Sequence, residues 1–147
     1  MNNSEIDPEV MKDKIYEVML VSRAPEITAR FEEVKKIYIV LMEKVLPFAG
    51  IDLDRFNEEQ LTKINGYLEK VVDLMTKTEK ALNRYNEIVD VLIDITRNHA
   101  VVNKEEYEEL NERIENIAKI NRILKRGAKN ICEEYDEVRL IVFGPES

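Results

Sequence analysis

The stretch KEEYEELNERIENIAKINRILKRGAKNICEEYDEVRLIVF, residues 104–143, decides the fold. Tyr107, Leu110, Ile114, Ile117, Asn121, Leu124, Ala128, Ile131, Tyr135, Val138 and Val142 recur in it at alternating steps of three and four. That spacing lines one stripe of a helix, the a/d repeat of a coiled-coil seam. The preceding stretch repeats it through Leu61, Ile64, Leu68, Val71, Met75, Thr78, Leu82, Tyr85, Val89, Leu92 and Thr96. Residues 100–103 leave room only for a reversal, so 57–143 reads as a long antiparallel helical hairpin. Each arm spans roughly 60 Å at the helical rise.

Local signals set the ends of both arms. Asn57-Glu58-Glu59-Gln60 and Asn103-Lys104-Glu105-Glu106 carry capping-box spacing, in which side chains satisfy the first free amides. Val142-Phe143-Gly144-Pro145 is a stop signal. Tyr67, Leu74, Ala81, Ile88 and Ile95 widen the stripe of the third helix, which therefore touches at least two neighbours. Those neighbours come from the first third of the chain. Asp7-Pro8-Glu9 starts a helix with a seam through Met11, Ile15, Val18 and Ser22. Pro25 breaks the phase, and a second seam runs through Ile27, Phe31, Val34, Tyr38, Leu41, Val45 and Phe48, with Ser22 as the expected cap. Pro47 and Gly50 end this helix, after which Ile51, Leu53 and Phe56 are expected to tuck under the bundle end.

The prediction is a single all-α domain over 1–147. It is an elongated antiparallel bundle of three to four helices built on a coiled-coil-like hairpin, with helices at about 8–22, 23–47, 57–99 and 104–143. Helices one and two are read either as two helices or as one kinked rod. Residues 1–6 are polar and expected to fray.

Composition removes several function classes. Lys and Arg number 22 against 30 Asp and Glu, a formal charge of −8, which disfavours a general nucleic-acid binder. One cysteine, Cys132, rules out an internal disulfide framework and fits a reducing compartment, so a cytoplasmic location is expected. No apolar run approaches the roughly 18 residues of a membrane span. A di-metal carboxylate bundle needs two Glu-x-x-His motifs, and the chain has one histidine, His99, preceded at that spacing by Thr96. His99 is read as a capping or packing residue. Asp90 and Asp94 opposite Glu109 and Glu112 read as a solvated acidic patch. Glycine-rich phosphate loops are absent. Glu105-Glu106-x-x-Glu109 and Glu133-x-x-Asp136 resemble the magnesium-binding acids of all-helical MazG-type nucleoside-triphosphate pyrophosphohydrolases. Here both lie on one continuous helix about 36 Å apart, so they cannot share a metal. No cofactor is called for, and an enzyme is not expected.

Three features remain. Ile37-Tyr38-Ile39-Val40-Leu41-Met42 covers the whole circumference of helix two, so it is either enclosed or partly an interface, with Ile37, Ile39, Val40 and Met42 the candidate interaction residues. Lys119, Arg122, Lys125, Arg126 and Lys129 form a basic band between acidic ones on helix four; with Lys77, Lys80 and Arg84 across the hairpin they make a candidate anion-binding belt. Gly127, inside the band, is a place where something can approach closely. Asn121, amid isoleucines and leucines, is expected near Tyr85 as a buried register pin bonded to its hydroxyl. The functional expectation is a non-enzymatic helical adaptor, regulator or inhibitor with a protein partner. Homo-oligomerisation is compatible with the charge bands. The alternative is a binder of RNA, nucleotide or polyphosphate at the belt.

Overall fold

Each helix begins where the chain can satisfy its first amides. Asp7 Oδ1 accepts from the Glu9 amide at 2.9 Å and Pro8 needs no acceptor, starting α1 (Pro8–Val21). Asn57 and Gln60 exchange side-chain and backbone bonds at 2.9 and 3.0 Å, a complete capping box for α3 (Glu58–Asn98). Asn103 Oδ1 accepts from the Glu106 amide at 2.9 Å to start α4 (Lys104–Phe143). At the far end Gly144 takes φ 75°, a left-handed conformation open to glycine, and its amide closes on Leu140. The computed structural model describes residues 7–98 and 100–145; the expected fraying of 1–6 and the capping role of His99 lie outside them.

The start of α2 (Ala24–Val45) differs from expectation. Ser22 does not cap it. Its hydroxyl turns back to the Met19 carbonyl at 2.7 Å, and Arg23 stands at the N-cap without a side-chain cap bond. Ser22 and Arg23 keep right-handed helical backbone angles, and the Ser22, Arg23 and Ile27 amides bond to Val18, Leu20 and Arg23. Pro25 can donate nothing to Val21, so the ladder lapses there. Residues 8–45 are thus one rod with a tight kink.

α2, α3 and α4 pack against one another as an all-α helical bundle, with no strand among the described residues. α1 packs against α3 and α4 near the turn that joins them. α3 runs antiparallel to the rod and to α4. The rod runs parallel to α4: Arg23 meets Asn111 and Glu115, and Glu33 meets Asn121 and Lys125. At 41 residues α3 is about 60 Å long, so the bundle is elongated.

The core follows the α4 seam closely, with Tyr107 and Tyr135 half-buried at its ends. α3 is rotated by one row from its expected seam. Tyr67, Leu74, Ala81, Ile88 and Ile95 are buried beside Ile64, Val71, Thr78, Tyr85 and Leu92. Leu68, Met75, Leu82 and Val89 are the half-buried flank, and Thr96 is exposed. The cause is the second neighbour: a helix in a triangle of three centres its stripe between both partners. Below α2, Leu53 is exposed, while Phe48, at the end of a 3₁₀ turn over Leu46–Phe48, is buried and plugs the bundle. Its ring lies 5.6 to 5.8 Å from those of Tyr67, Tyr135 and Phe143. Arg55 donates to the Val142 carbonyl at 2.8 Å, closing the same end.

Candidate functional site

Midway along the bundle a polar layer interrupts the apolar core. Tyr85, fully buried, donates its hydroxyl to Asn121 Oδ1 at 2.6 Å. Asn121 Nδ2 donates to the Arg30 carbonyl at 3.2 Å and to Glu33 Oε1 at 3.3 Å. Glu33 also pairs with Lys125 at 2.9 Å. Phe31 meets Tyr85 edge-on with centroids 5.4 Å apart. Burial pushes the Tyr85 phenol up to about 12, so it stays a donor across the neutral range. The layer joins all three long helices and engages both ends of the Asn121 amide within the chain.

Gly127 is occupied from inside. The space a Cβ would take there is 2.9 Å from a Leu74 methyl, so the missing side chain lets α3 press a leucine onto the α4 backbone. No external group is needed to explain this glycine.

The apolar run on α2 divides. Ile37 and Leu41 are buried, Tyr38 and Val40 are half-buried, and Ile39 and Met42 are exposed. Ile39, Met42 and Leu46 follow one another at helical spacing on the outer surface, so of the four candidate interaction residues only Ile37 is interior.

A larger apolar surface lies on α1. Its expected seam faces outward. Val10, Met11, Ile15, Val18 and Met19 are between 43 and 58% exposed, and only Leu20 of this helix is buried. α1 is held by its opposite face. Tyr16 stacks on Tyr107 with centroids 5.0 Å apart, and Leu20 enters the hairpin end. Arg23, at the kink, donates to Asn111 at 2.5 Å and pairs with Glu115 at 2.6 Å and Glu26 at 3.2 Å. The Glu26 hydrogen bond raises the guanidinium pKa and Arg23 in turn lowers that of Glu26. The change of phase at Pro25 was the sequence signal for this face: two seams out of phase on one rod cannot both meet the same hairpin.

The basic belt is split by α4. Facing α3, α4 presents the row Arg113, Ile120, Gly127 and Glu134, anchored by Arg113–Glu87 at 3.3 Å, by Leu74 over Gly127 and by Lys70–Glu134 at 3.1 Å. None of the band's five cations belongs to that row. Lys125 turns to α2, and Lys119, Arg122, Arg126 and Lys129 follow steps of three and four along the outermost face. Lys77, Lys80 and Arg84 stand on α3 beyond the row, with Lys77 paired to Asp73 at 3.0 Å. Lys80, Arg84, Lys119, Arg122, Arg126 and Lys129 make no ion pair among the described residues. Like charges three and four apart on one helix repel by about 0.2–0.5 kcal/mol per pair, and the four on the outer face supply three such pairs.

Among the described residues no group of three or more His, Cys, Asp or Glu side chains is placed to hold a metal. No described helix is long and apolar enough to cross a membrane. Cys132 is a free, half-buried thiol beside the seam. Comparison with protein-family models, curated proteins and solved structures gives no match.

Proposed function

We propose that the protein is a non-enzymatic helical interaction module that binds another protein through the outer face of α1. The observation that carries this reading is the outward seam of Met11, Ile15 and Val18, flanked by Val10 and Met19 and covered by no described part of the chain. Apolar residues spaced by four and three fit the apolar stripe of a partner helix, laid along α1. Ile39 and Met42 on α2 offer a second, smaller apolar surface. The single thiol fits a reducing compartment, and the cytoplasm is the proposed location.

The alternative, an anionic ligand at mid-bundle, draws support from the unpaired cations. The division of the belt across α4 leaves such a ligand four residues on one face rather than eight around a groove, and we favour the protein partner.

The test is the pair Ile15→Glu and Val18→Glu in one chain. Both side chains are more than half exposed, so folding stability should move by no more than about 0.5 kcal/mol in chemical denaturation. Proteins captured from the native host by the wild type, identified by mass spectrometry, should be lost with the variant. A variant that captures the same set overturns the α1 reading.

A further inference from the structure

The outermost face of α4 carries an ordered charge pattern. Taking Asn121 as position a, the f positions opposite the core and the b positions beside them on the α2 side are Glu105, Glu108, Glu112, Glu115, Lys119, Arg122, Arg126 and Lys129, at unbroken steps of three and four. All eight are exposed. Four acids are followed by four bases, and the pattern is antisymmetric about Ile117: Glu115 mirrors Lys119, Glu112 mirrors Arg122, Glu108 mirrors Arg126 and Glu105 mirrors Lys129. Two of the acids have contacts of their own, Glu115 with Arg23 and Glu108 with Lys104 at 3.9 Å. Glu105, Glu112 and the four bases make no ion pair among the described residues.

We propose that this face binds a second copy of the chain, α4 against α4 in antiparallel fashion about a two-fold axis at Ile117. That arrangement sets every acid of one copy opposite a base of the other, eight pairs across the axis, along about 36 Å of helix. A two-fold contact is self-complementary by construction, and only an antisymmetric stripe meets that condition with charges. The register is specified as well. A slide of one heptad in one direction sets Glu112 against Glu115. A slide in the other sets Glu105 against Asp136 and Glu108 against Glu133. Parallel pairing puts like on like throughout. Repulsion along each helix, between Lys119, Arg122, Arg126 and Lys129 on one side and the four glutamates on the other, is relieved by the same contact. The contact is made of exposed charges, so it is weak and salt-sensitive, suited to reversible assembly rather than an obligate dimer.

Charge reversal with complementation tests this on the full chain. Sedimentation velocity should show wild type self-associating at low salt and dissociating, by about tenfold or more in affinity, at high salt. Arg122→Glu with Arg126→Glu should be monomeric, and so should Glu108→Arg with Glu112→Arg, each with wild-type helicity by circular dichroism. Mixed in equal amounts, the two variants should associate again, because the reversed acids of one meet the reversed bases of the other. A wild type that stays monomeric at low salt, or reversed variants that associate as wild type does, would overturn the proposal; so would a mixture that stays apart. Ile15→Glu with Val18→Glu should dimerise normally. Loss of the dimer in that variant would place the second copy on α1 and overturn the α4 arrangement, while leaving the α1 surface in use.

Discussion

Asn121 shows how one buried amide can tie three helices together. A lone polar residue in a seam costs stability in return for register, and on that view alone Asn121→Leu would be neutral or stabilising. The structure reverses the expectation, since the Tyr85 hydroxyl is fully buried and Asn121 Oδ1 is its acceptor. Removing the acceptor strands a buried donor, at about 1–3 kcal/mol. Asn121→Leu should therefore destabilise by that amount in urea denaturation, and adding Tyr85→Phe should restore most of it. If the double variant is no more stable than the single one, the bonds to Arg30 and Glu33 carry the cost instead. Leu74 over Gly127 belongs to the same scale. A glycine whose helix propensity is about 1 kcal/mol below that of alanine is here a seat for a neighbouring methyl group.

Among the helices, α1 is the one held least. Leu20, Val21, the Tyr16 stack on Tyr107 and the Arg23 cluster attach it, while Val10, Met11, Ile15, Val18 and Met19 face outward. Leu20→Ala removes a fully buried side chain at about 2–5 kcal/mol. It should release α1 without unfolding the bundle: amides of 8–21 should lose hydrogen-exchange protection while those of 64–95 and 110–138 keep theirs. Uniform loss of protection would mean that α1 and the bundle fold as one unit. The same helix shows what the sequence could convey. The α4 seam was legible because spacing by three and four fixes which residues share a face, and that face is central. In α3 the spacing names the right three rows and calls for two neighbours, but it does not fix on which side the second one packs, so it centres the seam on Leu68, Met75, Leu82 and Val89 while Tyr67, Leu74, Ala81, Ile88 and Ile95 are core. For α1 the spacing identified a face and was silent on what covers it. The Tyr85–Asn121 bond was readable because a short connection fixes hairpin register. The split of the basic belt was not, because it depends on the side from which α2 approaches α4.

Over the whole molecule, the two buried phenols set an alkaline limit. Burial raises Tyr85 to about 12 and raises Tyr67 further, while the Tyr67 hydroxyl donates to the Lys44 carbonyl at 2.6 Å. A folded-state pKa above the unfolded value of about 10 means the stabilisation is fully present below pH 10 and is lost as pH rises through the folded value. Denaturation midpoints should fall between pH 10 and 12, with Tyr85 contributing about 2 kcal/mol. Tyr85→Phe should fall less steeply over that window, and an equal slope in both proteins would count against the assignment. The order of helices has a further consequence, for the growing chain. The kinked rod reaches its α4 partners across separations of 88 to 92 residues, from Arg23 to Asn111 and Glu115 and from Arg30 to Asn121. Its bonds to α3 are far closer, 23 residues from Lys44 to Tyr67 and 41 from Tyr38 to Glu79. Leaving the ribosome N-terminus first, α2 therefore meets α3 well before α4 exists. The first native pair is expected to be α2 with α3, docked at the Phe48 end, with α4 completing the hairpin last.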